Sequence, residues 1–359
     1  MSKVFFTDLR TNPKRNLLDK IEDLLNRTKI NEKINKNDIV AIKIHFGEYG
    51  NTAYLRPVFL RRIVERIKNL GGKPFLTDTN TLYTGSRSDA VSHLTTAIRN
   101  GFDYACVECP IIIADGIRGA TGIKIPIDGD ILKEVSIAKE IVEADAMIVV
   151  THFKAHELSG FGGCATREGK LVQHSNVAPI IKSNNCKGCR TCLDYCPAGA
   201  IAIKDKKASI DPEKCIGCGE CIIICSFNAI QIQWNESPDI FQKKMVEYAF
   251  GVLKGKEKKI IYINFVMQVS PACDCYPNND APIVRDIGIL ASTDPVAIDT
   301  ASCDLVNNEK SIPNTAIKKP LKKGDDKWRA LYPSIDWNIQ LEHAQMLGLG
   351  EKTYTLVKI

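Results

Sequence analysis

The sequence predicts an α/β fold, a mostly parallel sheet with helices on both faces, interrupted by one small cysteine-dense module. Three observations carry this: short apolar runs alternate with amphipathic helical patterns, residues 184–232 are rich in cysteine and poor in bulky apolar residues, and the alternation resumes beyond them. Strands buried on both faces read as continuous apolar runs. Strand–helix–strand alternation favours parallel pairing, with helices on each side of the sheet.

In order, strands are expected at Val4–Phe6, Ile39–Ile44, Pro74–Thr77, Ile111–Ala114 and Ala146–Val150. Helical patterns with apolar residues at three- and four-residue steps fall at Leu17–Leu25, Arg56–Leu70 and Asp89–Arg99. Gly71-Gly72 closes the second of these as a C-terminal stop. The pattern breaks at about Ser183. It returns with a helix at Phe241–Leu253, strands at Ile260–Val266 and Ile287–Leu290, a helix from Asp294 to Leu305, a helix at Asn338–Leu347 and a strand at Tyr354–Val357. Residues 1–183 and 233–359 are therefore expected to form one discontinuous domain, with 184–232 inserted. Thr293-Asp294-Pro295 reads as a helix N-cap followed by proline in the first turn. The lysine-rich stretch Lys310–Lys327 reads as an exposed loop.

Bulk composition narrows the class. A chain of 359 residues with 44% hydrophobic and 25% charged content can bury a full core without disulfides. Its net charge of +6 is dispersed, which argues against a nucleic-acid stripe. Met1–Arg10 lacks the order of a secretory signal, and no apolar run approaches the ~18–20 residues of a membrane span. A cytoplasmic protein without membrane contact is expected. In that setting fourteen cysteines point to metal rather than disulfides.

Their spacing is specific. Cys186-x2-Cys189-x2-Cys192-x3-Cys196-Pro197 is the full bacterial ferredoxin run. Cys215-x2-Cys218-x2-Cys221-x3-Cys225 repeats it, with Ser226 in the proline position. Both runs end alike, Ala198-Gly199-Ala200-Ile201 against Phe227-Asn228-Ala229-Ile230, so the module is an internal duplication. In this ligation grammar three thiolates of a run face one [4Fe–4S] cube and the fourth serves the other cube. Cluster one takes Cys186, Cys189, Cys192 and Cys225; cluster two takes Cys215, Cys218, Cys221 and Cys196. Gly188, Gly217 and Gly219 let the backbone pass close to the cubes. Zinc also accepts paired C-x2-C, but it has no use for a third cysteine at a further two-residue step.

A weaker constellation lies at the expected strand ends, where open α/β sheets bind ligands. Lys43 and His45-Phe46-Gly47-Glu48 follow one strand, Asp78-Thr79-Asn80 the next, and Asp115-Gly116 another. Thr151-His152-Phe153-Lys154-Ala155-His156-Glu157 and Ser159-Gly160-Phe161-Gly162-Gly163-Cys164 follow Ala146–Val150; Ser270-Pro271-Ala272-Cys273-Asp274-Cys275 follows Ile260–Val266. A shared pocket is expected, with Lys43, His45, His152, Lys154 and His156 binding an anionic substrate or moving protons. For each histidine the plainer reading is a packed or solvated ring. Gly160–Gly163 suits an anion cradle or a simple turn. Cys164, Cys273 and Cys275 fall outside the ferredoxin grammar and suit a third metal site or buried apolar positions. Cys106-x2-Cys109 lacks the helix N-terminus that activates thioredoxin-like thiols, and Cys303 reads as core.

These residues together resemble the uncharacterised iron–sulfur proteins grouped as domain of unknown function 362, in which a ferredoxin module sits inside an α/β domain. The matching stretches are Lys43–Glu48, Thr151–Gly163, Gly169-Lys170-Leu171-Val172-Gln173-His174, Cys273-Asp274-Cys275, and Asp286–Ala291 leading to Asp294-Pro295-Val296-Ala297-Ile298-Asp299. One departure stands out: such proteins carry several more residues, including an Ala-Leu-Lys-Asn-like run, where Gly163 here joins Cys164 directly. The His- and Gly-rich stretch is also similar to the N-terminal part of nickel-dependent lactate racemases. The resemblance implies an architecture and no settled activity.

Three functions compete at this point. The first is a redox enzyme passing single electrons from two [4Fe–4S] clusters to a substrate or metal in the pocket, supplied by a soluble donor protein. The second is a non-catalytic carrier or docking subunit of a larger redox complex. The third is a non-redox enzyme braced by its clusters. No G-x-G-x-x-G follows the first strand, which disfavours hydride chemistry.

Overall fold

The structure is a computed structural model that describes residues 1–81, 85–164, 179–196, 198–215, 220–231 and 236–359. Cys218, Pro197, Gly217, Gly219 and the stretch Gly169–His174 lie outside the described residues.

Eight strands build the main sheet: β1 (Ser2–Asp8), β2 (Ile39–Lys43), β3 (Lys73–Asp78), β4 (Ile111–Ile113), β5 (Ala146–His152), β6 (Ile260–Val266), β7 (Gly288–Ser292) and β8 (Tyr354–Lys358). Their order across the sheet is β8-β1-β7-β6-β5-β2-β3-β4. Every adjacent pair is parallel except those made by β7, which runs against β6 and β1. The fold is thus the mostly parallel α/β arrangement that the alternation predicts.

The sheet separates two apolar layers. Val40, Ile42, Ile148, Val150, Ile261, Ile263 and Phe265 face helices Leu17–Arg27, Val58–Asn69 and Ala90–Arg99. Their neighbours Ala41, Met147, Val149, Ile260, Tyr262 and Val266 face helices Pro238–Leu253, Pro295–Asn307 and Asn338–Met346. This is period-two alternation with both sides buried, at about 1.5–3 kcal/mol for each large side chain removed from water. Asp294 caps its helix as expected, accepting from the amides of Val296 and Ala297 at 2.9 Å, with Pro295 in the first turn.

Two short hairpins were not legible in the sequence: Gly122–Pro126 with Glu134–Ala138, and Lys154–His156 with Gly160–Gly162. The expected exposed lysine loop needs one correction. Lys327 is buried, and its Nζ donates to the carbonyls of Asn307, Lys322 and Asp325 at 2.6–3.0 Å. It ties the loop to the domain rather than facing water, while Lys318, Lys319, Lys322 and Lys323 are exposed.

The cysteine-rich segment has its own small core, in which Cys186, Cys192 and Cys221 are buried with Ile201, Ala208, Ala229 and Ile230. Strand Ile180–Ile181 pairs antiparallel with Ile230–Gln231, so the chain enters and leaves the segment side by side.

Candidate functional site: a strand-end pocket and a cysteine core

Parallel strands β2, β3, β5 and β6 end at one edge of the sheet, at Lys43, Asp78, His152 and Val266. The loops leaving that edge make a small pocket lined by Lys43, His45, Thr151, His152, Lys154, Gly163 and Cys164, among others. Four of the five pocket residues expected from sequence meet there. His156 does not. The hairpin carries it onto helix Pro238–Leu253, where its ring stacks on Phe241 at 5.7 Å and its Nδ1 accepts from the Leu158 amide at 3.2 Å.

His152 and Lys154 converge on Asp274, which is fully buried. His152 Nδ1 lies 2.9 Å from Asp274 Oδ1 and Lys154 Nζ 3.1 Å from Oδ2. His152 Nε2 faces the carbonyls of Met267 and Gln268 at 3.0 and 3.1 Å. Both ring nitrogens therefore meet oxygen partners, and the ring joins β5 to the 267–274 loop. The Glu48 amide donates to the Asp274 carbonyl at 3.0 Å, so a third strand-end loop is tied to the same residue.

On the other flank, Lys43 Nζ sits 3.5 Å from Asp78, Arg87 bridges Asp78 and Glu48, and His93 approaches Asp78 at 3.9 Å. Burial works to raise Asp78, but the charges of Lys43, His93 and Arg87 outweigh it and hold the carboxyl below its ordinary range. Burial drives His93 down to about 4 despite the pull of Asp78. The unfolded chain binds a proton on this ring near pH 6.5 that the folded chain refuses until about 4. Stability should therefore fall as pH drops through that window, by on the order of 3 kcal/mol for this residue. Urea midpoints at pH 7 and pH 4.5 should converge in His93→Leu relative to the native chain.

Gly160–Gly163, which suits an anion cradle or a simple turn by sequence, forms neither. Gly160–Gly162 is a strand, and Gly163 packs against the carboxylate of Asp299, a residue of the chain itself. The Cys164 amide donates to Asp299 Oδ1 at 2.9 Å, and Asn264 Nδ2 donates to the same oxygen at 2.8 Å. The Cys164 thiol donates to Asn264 Oδ1 at 2.9 Å; burial and the Asp299 charge push it well up from its ordinary value. A Cβ on Gly163 would overlap the carboxylate, so Gly163→Ala should cost about 1–3 kcal/mol, seen as a lower thermal midpoint.

Of Cys164, Cys273 and Cys275, which by sequence suit either a third metal site or buried apolar positions, the last two lie beside His45. His45, Cys273 and Cys275 offer ligand atoms that all lie within 4.8 Å of one another, and among the described residues Cys164 is not in this group. Cys275 Sγ is 3.5 Å from His45 Nε2, and the Cys275 amide donates to Cys273 Sγ at 3.2 Å. These three residues could hold a metal ion.

In the cysteine core the two runs behave alike. The Ala200 amide donates to Cys196 Sγ at 3.3 Å, and the Ala229 amide to Cys225 Sγ at 3.3 Å, four residues on in each case. Burial raises the Cys192 thiol, and the charges of Cys189, Cys225 and Cys186 raise it further. Cysteines of both runs are thus near enough to oppose the ionisation of Cys192. The Thr191 hydroxyl donates to Cys189 Sγ at 3.5 Å and lowers that thiol.

A family model described as "Domain of unknown function (DUF362)" matches residues 40–304. The chain belongs to the DUF362 family. No curated protein matches the sequence. Among solved structures, the lactate racemase apoprotein from Thermoanaerobacterium thermosaccharolyticum is 12% identical over 73% of this chain, with a TM-score of 0.35. The alignment covers 50% of that protein, so the chain spans about half its length.

In this DUF362 protein the remaining cysteines take the plain roles expected of them. Cys303 is buried on helix Pro295–Asn307, and burial raises its thiol. Burial pushes Cys109 up to about 11. Cys106 lies on the four-residue helix Tyr104–Val107, a helix that the sequence did not announce. Sequence reasoning placed His45 among acid–base residues and missed its company with Cys273 and Cys275. The available signal was position: each follows a strand that ends at the same sheet edge. Asp299 and Asn264 were also missed as polar partners of Cys164, because both lie in apolar patterns that read as core. Among the described residues, no helix is long and apolar enough to cross a membrane.

Proposed function

We propose that this chain is an iron–sulfur electron-transfer protein, a redox enzyme whose acceptor sits at the strand-end pocket. The observation that carries the reading is the duplicated cysteine run, and the opposition of Cys189, Cys225 and Cys186 to the ionisation of Cys192 supports a ligand set drawn from both runs. Cysteines gathered in this way suit a shared cationic partner, and their amide donors suit cluster ligands. Cys186, Cys189, Cys192 and Cys225 would hold one [4Fe–4S] cluster. Cys215, Cys218, Cys221 and Cys196 would hold the other. When bound, the clusters supply one-electron transfer. The α/β domain is residues 1–183 and 233–359, with the ferredoxin-type unit at 184–232.

In the pocket, Lys43 and Lys154 provide a cationic lining for a small anionic substrate, each steadied by a buried carboxylate. His152 orients the Asp274 loop rather than standing ready as a base. His45 lines the pocket and also lies beside the thiols Cys273 and Cys275. A second reading, an electron carrier or docking subunit, is favoured by Tyr195 and Phe227, exposed apolar side chains beside Cys196 and Cys225.

Anaerobically purified protein should be brown and carry about eight irons, with each cluster taking one electron in a reductive titration. Colourless, iron-free protein from fully matured material would refute the reading. Clusters that accept no electron would leave only a bracing role. A carrier would reduce its partner protein stoichiometrically whether or not Lys43 is replaced by Met, whereas an enzyme would lose re-oxidation by substrate in that variant.

A further inference from the structure

We infer that His45, Cys273 and Cys275 form a mononuclear site for one thiophilic divalent cation, separate from the cysteine core. Imidazole and thiolate donors select zinc-like ions over magnesium or calcium, which take oxygen ligands. With metal–sulfur and metal–nitrogen bonds of about 2.3 and 2.05 Å, a tetrahedral ion separates its sulfur and nitrogen ligands by about 3.6 Å. The His45 Nε2 to Cys275 Sγ separation is 3.5 Å. All three donor atoms fall within 4.8 Å of one another.

The loops that carry these donors are fixed independently of any ion. Asp274, between the two cysteines, is locked by His152 and Lys154, and its carbonyl accepts from the Glu48 amide. That last bond links the cysteine loop directly to the loop that carries His45. The Gly47 amide donates to His45 Nδ1 at 2.9 Å, fixing the ring so that Nε2 faces Cys275. For a cation to bind Nε2 as neutral imidazole, the ring proton would move to Nδ1 at the expense of the Gly47 contact, and the two thiol protons would leave to solvent. Cys273 and His45 are buried and Cys275 is half-buried, so the ligands are already largely withdrawn from water.

Three protein ligands leave a fourth tetrahedral position, as in catalytic rather than structural zinc-type sites. His45 belongs to both the trio and the pocket lined by Lys43 and Lys154, so the proposed site adjoins that pocket. This inference stands whether or not the cysteine core carries clusters.

The test uses anaerobic whole protein, treated with a mild chelator and titrated with zinc by calorimetry. One equivalent should bind tightly. Zinc K-edge absorption should show two sulfur ligands and one imidazole. Cys273→Ser/Cys275→Ser should lose that equivalent while its iron content is unchanged, and Cys164→Ala should keep it. His45→Gln should bind at least about tenfold more weakly, which decides the matter if the double variant does not fold. No uptake by the native chain, or equal uptake by His45→Gln, would overturn the site. Detection of a Cys273–Cys275 disulfide in the anaerobic protein would do the same.

Discussion

Cys186→Ala/Cys225→Ala should retain about four irons, whereas Cys186→Ala/Cys196→Ala should retain almost none. The two double variants remove the same number of thiols, so composition alone predicts equal loss. They differ under the proposed crossed ligation, in which Cys225 joins Cys186, Cys189 and Cys192 although it sits in the second run. If the ligands cross, the first pair strips one cluster twice and the second pair strips one ligand from each. If each run served its own cluster, the outcomes would swap. Iron analysis with electron paramagnetic resonance of the reduced protein reads the difference. Four irons in Cys186→Ala/Cys196→Ala would end the crossed assignment.

Removing the Asp274 carboxylate should be the most damaging single change in the pocket. Asp274→Ala leaves the buried ammonium of Lys154 and the ring of His152 facing the space of a lost anion. Breaking a buried ion pair from one side costs about 3–5 kcal/mol. At roughly 2–4 °C per kcal/mol for a chain of a few hundred residues, the thermal midpoint should fall by about 10 °C. Asp274→Ala/Lys154→Met should recover part of that loss, because the uncompensated charge leaves with its anion. A drop of less than about 2 °C in the single variant would show that the carboxylate does not hold the strand-end loops together.

How far the sequence revealed these features follows from their physics. Apolar runs such as Ile260–Val266 announce themselves because both faces are buried, and the strand forms over those same residues. The ferredoxin spacing is visible because three cysteines at two-residue steps, repeated in a second run, form a pattern in the sequence itself. The pocket was legible only as a set of strand ends. Nothing local distinguishes His156, which leaves for Phe241, from His152, which stays. That choice is made by the hairpin Lys154–His156/Gly160–Gly162, three residues on each side, too short for period-two alternation to stand out. Likewise Lys327 reads as one more lysine in a polar run, and only the carbonyls of Asn307, Lys322 and Asp325 make its burial tolerable.

Strands Ile180–Ile181 and Ile230–Gln231 pair antiparallel, so the chain leaves the cysteine-bearing segment beside the point where it went in. Neighbouring strands run about 5 Å apart, so a bridge of a few glycines could span the two in place of the residues between them. Whether the eight-stranded sheet folds on its own could then be read directly from the thermal midpoint of that shortened chain.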